Sequence, residues 1–358
     1  MTEPTTIAFY LPQFHPTPEN SKWWGDGFTE WTNVTKARPI FPGHYQPFLP
    51  SDLGFYDLRC AESRVQQADL AEHFGVTAFC YWHYWFAGRR ILERPFQEVL
   101  ESKSPNFPFC LGWANQTWSG TWHGAPDKIL IEQTYPGPAD DMAHFEYLLT
   151  AFSDPRYLRI DGKPLLYIFR PEDLPNPMAW SASINEFMKV RGLDGVYIVG
   201  EISDLLGNSP KADNAEKYGF DAMVYMRLPA KTSSTDQLMM RLRRKFLRQP
   251  ERYQVRNKVF PYPPNIKSTT TFPCVYTNWD NTPRSGVRGL VLEGTCPEIY
   301  EMHLSQALEV VRKDNPDKPL VFIKSWNEWA EGNVLEPSAR FGRGFLDAHK
   351  RVVSKYTK

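Results

Sequence analysis

The chain has 358 residues, with 41 Lys+Arg against 41 Asp+Glu, 42% hydrophobic and 23% charged residues. That size and apolar share support a sizeable core and argue against disorder. Zero net charge argues against nucleic acid as the main partner, because phosphate binding needs a basic excess. Aromatic residues make up 15%, with 12 Trp. Such rings fill cores or pack on the apolar face of a sugar; composition by itself favours the core, so position must decide.

The five cysteines, Cys60, Cys80, Cys110, Cys274 and Cys296, are odd in number and include no Cys-x-x-Cys. Neither a disulfide framework nor a zinc site is indicated, and no metal or cofactor is expected. Met1-Thr2-Glu3-Pro4 starts no basic and apolar leader, and no apolar run approaches the ~18 residues of a membrane span. The expected setting is a reducing cytoplasm.

In chain order, short apolar β-rich runs alternate with amphipathic stretches. The predicted strands are Ile7–Leu11, Val76–Trp82, Phe107–Trp113, Leu165–Phe169, Val196–Gly200, Ala222–Tyr225, Cys274–Thr277 and Leu320–Ser325. The second, fourth, fifth and eighth are near-continuous apolar runs, as strands covered on both faces should be. Helices are predicted over Glu62–Phe74, Ala139–Phe152, Asn185–Arg191, Pro297–Arg312 and Phe341–Ser354. Eight strands with intervening helices favour a single-domain (β/α)₈ TIM barrel over an open doubly wound sheet. Long loops are expected after the first strand, from about Pro12 to Asp57, and after the sixth, from about Arg227 to Phe272. Loops of that length in a compact domain are usually functional, and in a barrel they lie on the catalytic face.

Polar and aromatic residues gather just after the strands. Tyr10, Gln13 and His15 follow the first; Trp82, His83 and Tyr84 close the second; Trp113 and Asn115 follow the third. Arg170, Glu201 and Tyr225 end the next three. Asn278, Trp279 and Asp280 follow the seventh, and Trp326, Asn327, Glu328, Glu331 and Glu336 the eighth. One such cluster would mean little, since strand-end Tyr and Trp are common. Repetition around one mouth suits sugar recognition better than phosphate or hydride chemistry. A lone His near a strand end is more often structural, which applies to His83 more than to His15 in its polar loop; Glu201 reads equally as a third carboxylate or a partner of Arg170, and Asp280 as a hydroxyl binder or a turn residue.

Glycoside cleavage needs one group to protonate the leaving oxygen and another to support the anomeric centre. Glu328 and Glu331 stand three apart. If this stretch turns helically, both side chains share one face with Cβ atoms ~5–6 Å apart. Two carboxylates close together in a dry pocket split their proton affinities into an acid and a base. On spacing alone, a solvated first helical turn explains the pair equally well. The absence of GxGxxG, Walker-type, Asp-x-Asp and Gly-x-Ser-x-Gly sequences weighs against nicotinamide, nucleotide and serine-nucleophile enzymes. The basic stretch Arg241–Arg248 reads as a solvated helix face, or as a contact for an acidic polysaccharide or a phosphate-bearing lipid surface.

Ala8-Phe9-Tyr10-Leu11-Pro12-Gln13-Phe14-His15-Pro16, Trp23-Trp24-Gly25, Phe28-Thr29-Glu30-Trp31, Phe79-Cys80-Tyr81-Trp82-His83-Tyr84-Trp85 and the Trp326–Glu336 segment together resemble the WbsX-type family, from about residue 5 to 350. That family is named as glycosyltransferases of O-antigen assembly. It is similar in pattern to glycoside hydrolase family 99, the retaining endo-α-mannosidases and endo-α-mannanases on (β/α)₈ barrels. The resemblance implies that Glu328 is the base for the sugar 2-hydroxyl and Glu331 the general acid/base, with a 1,2-anhydro sugar between two displacements. It implies an oligo- or polysaccharide substrate. Three readings follow: a retaining endo-acting hydrolase of a bacterial polysaccharide, a surface-polysaccharide glycosyltransferase, and a glycan-binding barrel without catalysis.

Overall fold

Eight apolar runs become eight parallel strands in a computed structural model that describes residues 2–120, 125–203, 215–226, 228, 234–255 and 270–356. They are β1 (Thr5–Tyr10), β2 (Ala78–His83), β3 (Phe109–Trp113), β4 (Lys163–Ile168), β5 (Tyr197–Ser203), β6 (Ala222–Met226), β7 (Thr271–Val275) and β8 (Leu320–Ile323). Each pairs in parallel with the next. The ring closes where β8 pairs β1, with Thr5 opposite Leu320 and Ala8 opposite Ile323. A closed parallel ring covered by helices buries both strand faces, which is why these runs are apolar throughout rather than alternating. Arg159–Ile160 adds a short antiparallel strand on β4.

Aromatic rings fill the barrel. Phe9 of β1 stands 4.7 Å from Tyr167 of β4 and 5.7 Å from Phe322 of β8, and Trp82 of β2 stacks on it at 4.8 Å. Trp113, Trp326 and Trp329 are fully buried. Much of the aromatic excess is therefore core packing.

The helices are α1 (Pro18–Trp24), α2 (Glu30–Lys36), α3 (Ala61–His73), α4 (Arg94–Ser102), α5 (Pro138–Phe152), α6 (Pro177–Val190), α7 (Ala215–Tyr218), α8 (Ser234–Leu242), α9 (Thr282–Ser285), α10 (Pro297–Asp314) and α11 (Gly344–Val353). Helix α6 starts eight residues before the predicted Asn185. Asn176 accepts the Ala179 amide, and Pro177 supplies a preset φ at the first helical position. The segment after β1 is not a plain loop: it holds α1, capped by Thr17, and α2, started by the reciprocal Thr29–Thr32 capping box. The segment after β6 holds α8 and a short strand, Glu251–Gln254, parallel to Leu290–Glu293; residues 227, 229–233 and 256–269 of that predicted loop lie outside the described residues. Among the described residues no helix is long and apolar enough to cross a membrane.

Candidate active site

Past β8 the chain does not continue as a helix. Asn327–Glu328 pairs antiparallel with Asn333–Val334, and a single 3-10 turn, Trp329–Glu331, joins them. The expected helical face is thus replaced by a tight hairpin with Glu328 at the turn's start and Glu331 at its end. Gly332 closes the turn at φ +59, in the left-handed region that suits glycine. A Cβ there would lie 3.3 Å from Asn278 Nδ2 and from Asp280 Cβ, a tight fit against the loop after β7 on top of the backbone strain. Asn327 pins the hairpin to the end of β1: its Oδ1 accepts the Leu11 amide at 2.7 Å, and its Nδ2 donates to the Leu11 carbonyl at 3.0 Å. Ser325 Oγ accepts both the Asn327 and Glu328 amides.

The two glutamates meet on one guanidinium. Arg284, on α9 after β7, donates from Nη2 to Glu328 Oε2 at 2.6 Å and from Nη1 to Glu331 Oε1 at 2.7 Å. Its Nε donates to Glu30 Oε1 of α2, also at 2.7 Å. Side-chain exposures of 12% for Arg284, 13% for Glu328 and 11% for Glu331 exclude the solvated-turn reading of the pair. Burial alone would weaken the guanidinium's charge, but Glu30, Glu328 and Glu331 outweigh it and hold Arg284 well above the usual arginine range. Burial raises the Glu331 carboxyl to about 7; Arg284 pulls it down and Glu328 pushes it up. Burial likewise raises Glu30, against the pull of Arg284. Glu331 is therefore a carboxyl that carries a proton up to near neutrality.

Lys324, one residue past β8, stands 3.7 Å from Glu201 Oε2. Burial disfavours its charge, while Glu201 and then Cys274 and Glu331 raise its proton affinity above the usual value. The Tyr167 hydroxyl donates to Glu201. Trp82, Phe169, Lys324, Arg284 and Glu328 are half-buried. Tyr84 is buried beside the cluster: burial, then Glu328, raises its hydroxyl.

Other predicted site residues have interior partners. Tyr10 donates to Gln67 Oε1 at 2.6 Å. Gln67 Nε2, Tyr56 and Trp329 Nε1 donate to Glu336 at 2.7, 2.9 and 2.7 Å, so Glu336 ties together α3, the segment after β1 and the hairpin. Trp326 packs against Phe79 at 5.1 Å. His83 and His144 share a 2.9 Å Nε2–Nε2 hydrogen bond; burial holds His83 down at about 3, so the pair is neutral. His15 Nδ1 bonds the Pro12 carbonyl, and burial lowers its proton affinity too. Gln13 donates to Asn20. Trp113 packs on His144 and Trp180. Asn115 clasps the Arg170 backbone from both sides, and the Arg170 side chain pairs Glu172 at 3.0 Å rather than Glu201. Tyr225 and Trp279 are buried, and Asn278 accepts from Thr295. Asp280 is more than a turn residue. It caps Thr282 through Oδ1 and accepts His44 Nε2 and Gln46 Nε2 at 2.7 Å each through Oδ2, joining the segment after β1 to that after β7. Its amide donates to the Glu331 carbonyl at 2.6 Å.

Glu30, Arg284 and Lys324 were not among the residues expected from sequence. Glu30 lies within Phe28-Thr29-Glu30-Trp31, so a signal existed; for Arg284, two residues after the Asp280-Asn281-Thr282 turn, there was none. Among the described residues no group of three His, Cys, Asp or Glu could hold a metal ion.

Burial raises Glu336 to about 7 while its hydrogen-bond donors lower it. Its native affinity exceeds the unfolded value of about 4.3, so the native state binds the extra proton between about pH 4.5 and 7. Stability from this group is full below that window and lost as pH rises through it. Glu336→Gln is expected to remove about 3 kcal/mol of that pH-dependent fall, read from urea unfolding at pH 4.5 and 7.5; an unchanged slope would show that Glu336 is not the group responsible.

The fold and site define a (β/α)₈ barrel with a buried carboxylate–guanidinium cluster on the face where such barrels carry out chemistry. The family model described as Glycosyltransferase WbsX matches residues 6–349, and the chain belongs to that family, carbohydrate-active by its description. Two relatives described as Uncharacterized protein WxcX, from Xanthomonas campestris pv. campestris strains B100 and ATCC 33913, are 37% identical over 365 residues, 98% of this chain. The chain spans about half the length of these curated relatives, 50%. Among solved structures, the family 99 endo-alpha-mannosidase from Bacteroides thetaiotaomicron superposes with a TM-score of 0.56 at 16% identity, covering 98% of this chain and 97% of that one. A glycoside hydrolase-like protein superposes with a TM-score of 0.61 at 13% identity, covering 99% and 94%. At these identities the likeness is one of fold.

Proposed function

We propose that the chain is a retaining, endo-acting glycoside hydrolase of a bacterial polysaccharide, with Glu331 as general acid/base and Glu328 as the base for the sugar 2-hydroxyl. The observation that carries this reading is the pair of glutamates that share the Arg284 guanidinium at 2.6 and 2.7 Å, with burial raising the carboxyl of Glu331. Glu331 gives its proton to the glycosidic oxygen, whose bond to the anomeric carbon breaks so that the leaving sugar departs as an alcohol. Glu328 takes the 2-hydroxyl proton as that oxygen closes on the anomeric carbon, forming a 1,2-anhydro sugar and inverting the centre. Water then opens the ring with Glu331 as base and Glu328 returning its proton, and the second inversion gives net retention. Arg284 supports the charge that moves between the two carboxylates.

The family description favours a second reading, a glycosyltransferase of surface-polysaccharide assembly. Incubation with bacterial polysaccharides and, separately, with nucleotide-sugar donors decides between them. The hydrolase yields new reducing ends and no nucleotide; nucleotide release with chain extension identifies the transferase. Glycan binding without either product points to a barrel that binds only. Full activity in both Glu328→Gln and Glu331→Gln would remove the glutamate pair from the mechanism.

A further inference from the structure

Helix α8 and the π-type turn Arg243–Leu247 that continues it follow β6, and segments that follow strands belong to the mouth side of a barrel. Their surface is inverted. Leu238, Met239, Leu242, Phe246 and Leu247 are 40% (Leu242) to 70% (Phe246) exposed, whereas Met240 and Arg244 on the other side are half-buried. Leu238, Leu242 and Phe246 recur every four residues with Met239 beside them, which forms one apolar stripe. A soluble helix turns such a stripe to the core; this one turns it to solvent.

Next to the stripe lie Arg241 and Lys245, again four apart and exposed, with Arg248 exposed one turn on. From Gln237 to Pro250 there are five cations and no acidic residue, in a chain whose overall charge is zero. Lys245 extends along the Phe246 ring, its ammonium 5.6 Å from the centroid. An outward apolar stripe flanked by long basic side chains is the surface that lies in a lipid interface, its rings and methyls at the acyl boundary and its cations against headgroup phosphates. The single sign of these cations points to a negatively charged surface, and the alternation of apolar and basic groups to one that also takes up apolar side chains.

We propose that this segment docks the protein on an anionic lipid surface. The test is co-sedimentation of the full chain with phosphatidylcholine vesicles made with or without phosphatidylglycerol. The wild-type chain is expected to bind the phosphatidylglycerol vesicles at least about tenfold more tightly, and to lose that preference in high salt. Leu242→Ser/Phe246→Ser and Arg241→Gln/Lys245→Gln should each weaken binding at least about tenfold. Because these side chains are exposed, both variants should melt with the wild type. Equal binding to neutral vesicles, undiminished binding by both variants, or failure of the wild type to bind would overturn the proposal. So would a dimer of the wild-type chain in sedimentation velocity that Leu242→Ser/Phe246→Ser dissociates, since the stripe would then cover a second copy.

Discussion

Replacing Glu331 by glutamine should lower turnover of the native polysaccharide by about 10²–10⁴-fold, the range by which a positioned general acid accelerates a reaction. The amide keeps the shape and can still face Arg284, but it has no proton to give. The loss should shrink sharply on an aryl glycoside whose phenolate leaves without protonation. The wild-type rate on polysaccharide should fall as pH rises through about 7, where buried Glu331 gives up its proton, and the variant should lack that limb. The same proton links to folding. Glu331 binds it more tightly in the native state than in the unfolded chain, so its contribution to stability is full below about pH 4.5 and lost as pH rises through about 7. Glu331→Gln should therefore be no less stable than wild type at pH 8 by urea unfolding. An unaltered polysaccharide rate would sink the assignment of Glu331 as the acid.

Replacing Arg284 by methionine should destabilise the fold by about 3–5 kcal/mol near pH 8, because removing one partner of a buried ion cluster leaves its counter-charges uncompensated. Here three carboxylates, Glu30, Glu328 and Glu331, lose their common cation. The penalty should diminish as pH falls, since Glu30 and Glu331 already bind protons more readily than ordinary carboxyls and their neutral forms need no guanidinium. Adding Glu30→Gln to Arg284→Met should restore part of the lost stability, while turnover stays low in the double variant if Arg284 supports the reacting pair. Urea unfolding at pH 5.5 and 8 measures both stability effects. A penalty independent of pH, or no rescue by the second substitution, would mean that packing rather than charge makes Arg284 matter.

The barrel was legible because its signal is local. Runs such as Leu165–Ile168 and Val196–Val199 are apolar at every position, which only strands covered on both faces require. Glu328 and Glu331 were legible as a pair, but not their setting: three-residue spacing fits a helix, and only the hairpin of Asn327–Glu328 with Asn333–Val334 shows that the chain turns back. The aromatic ring at the strand ends was the least decisive signal. Tyr10, Trp113, Trp326 and His83 stand at strand ends as expected, yet each is buried against interior partners. A strand end has an inner and an outer side, and sequence position does not say which one a ring takes.

What the sequence by itself determined was the alternation of strands and helices, and hence the barrel and the face on which the last strand delivers its two glutamates. Tertiary structure decided what surrounds them. Arg284 and Glu30 come from segments after β7 and β1, separated by 254 residues, and they converge only because ring closure sets β8 between β1 and β7. Proton affinity depends on that convergence: burial raises the Glu331 carboxyl to about 7, against the pull of Arg284 and with the push of Glu328.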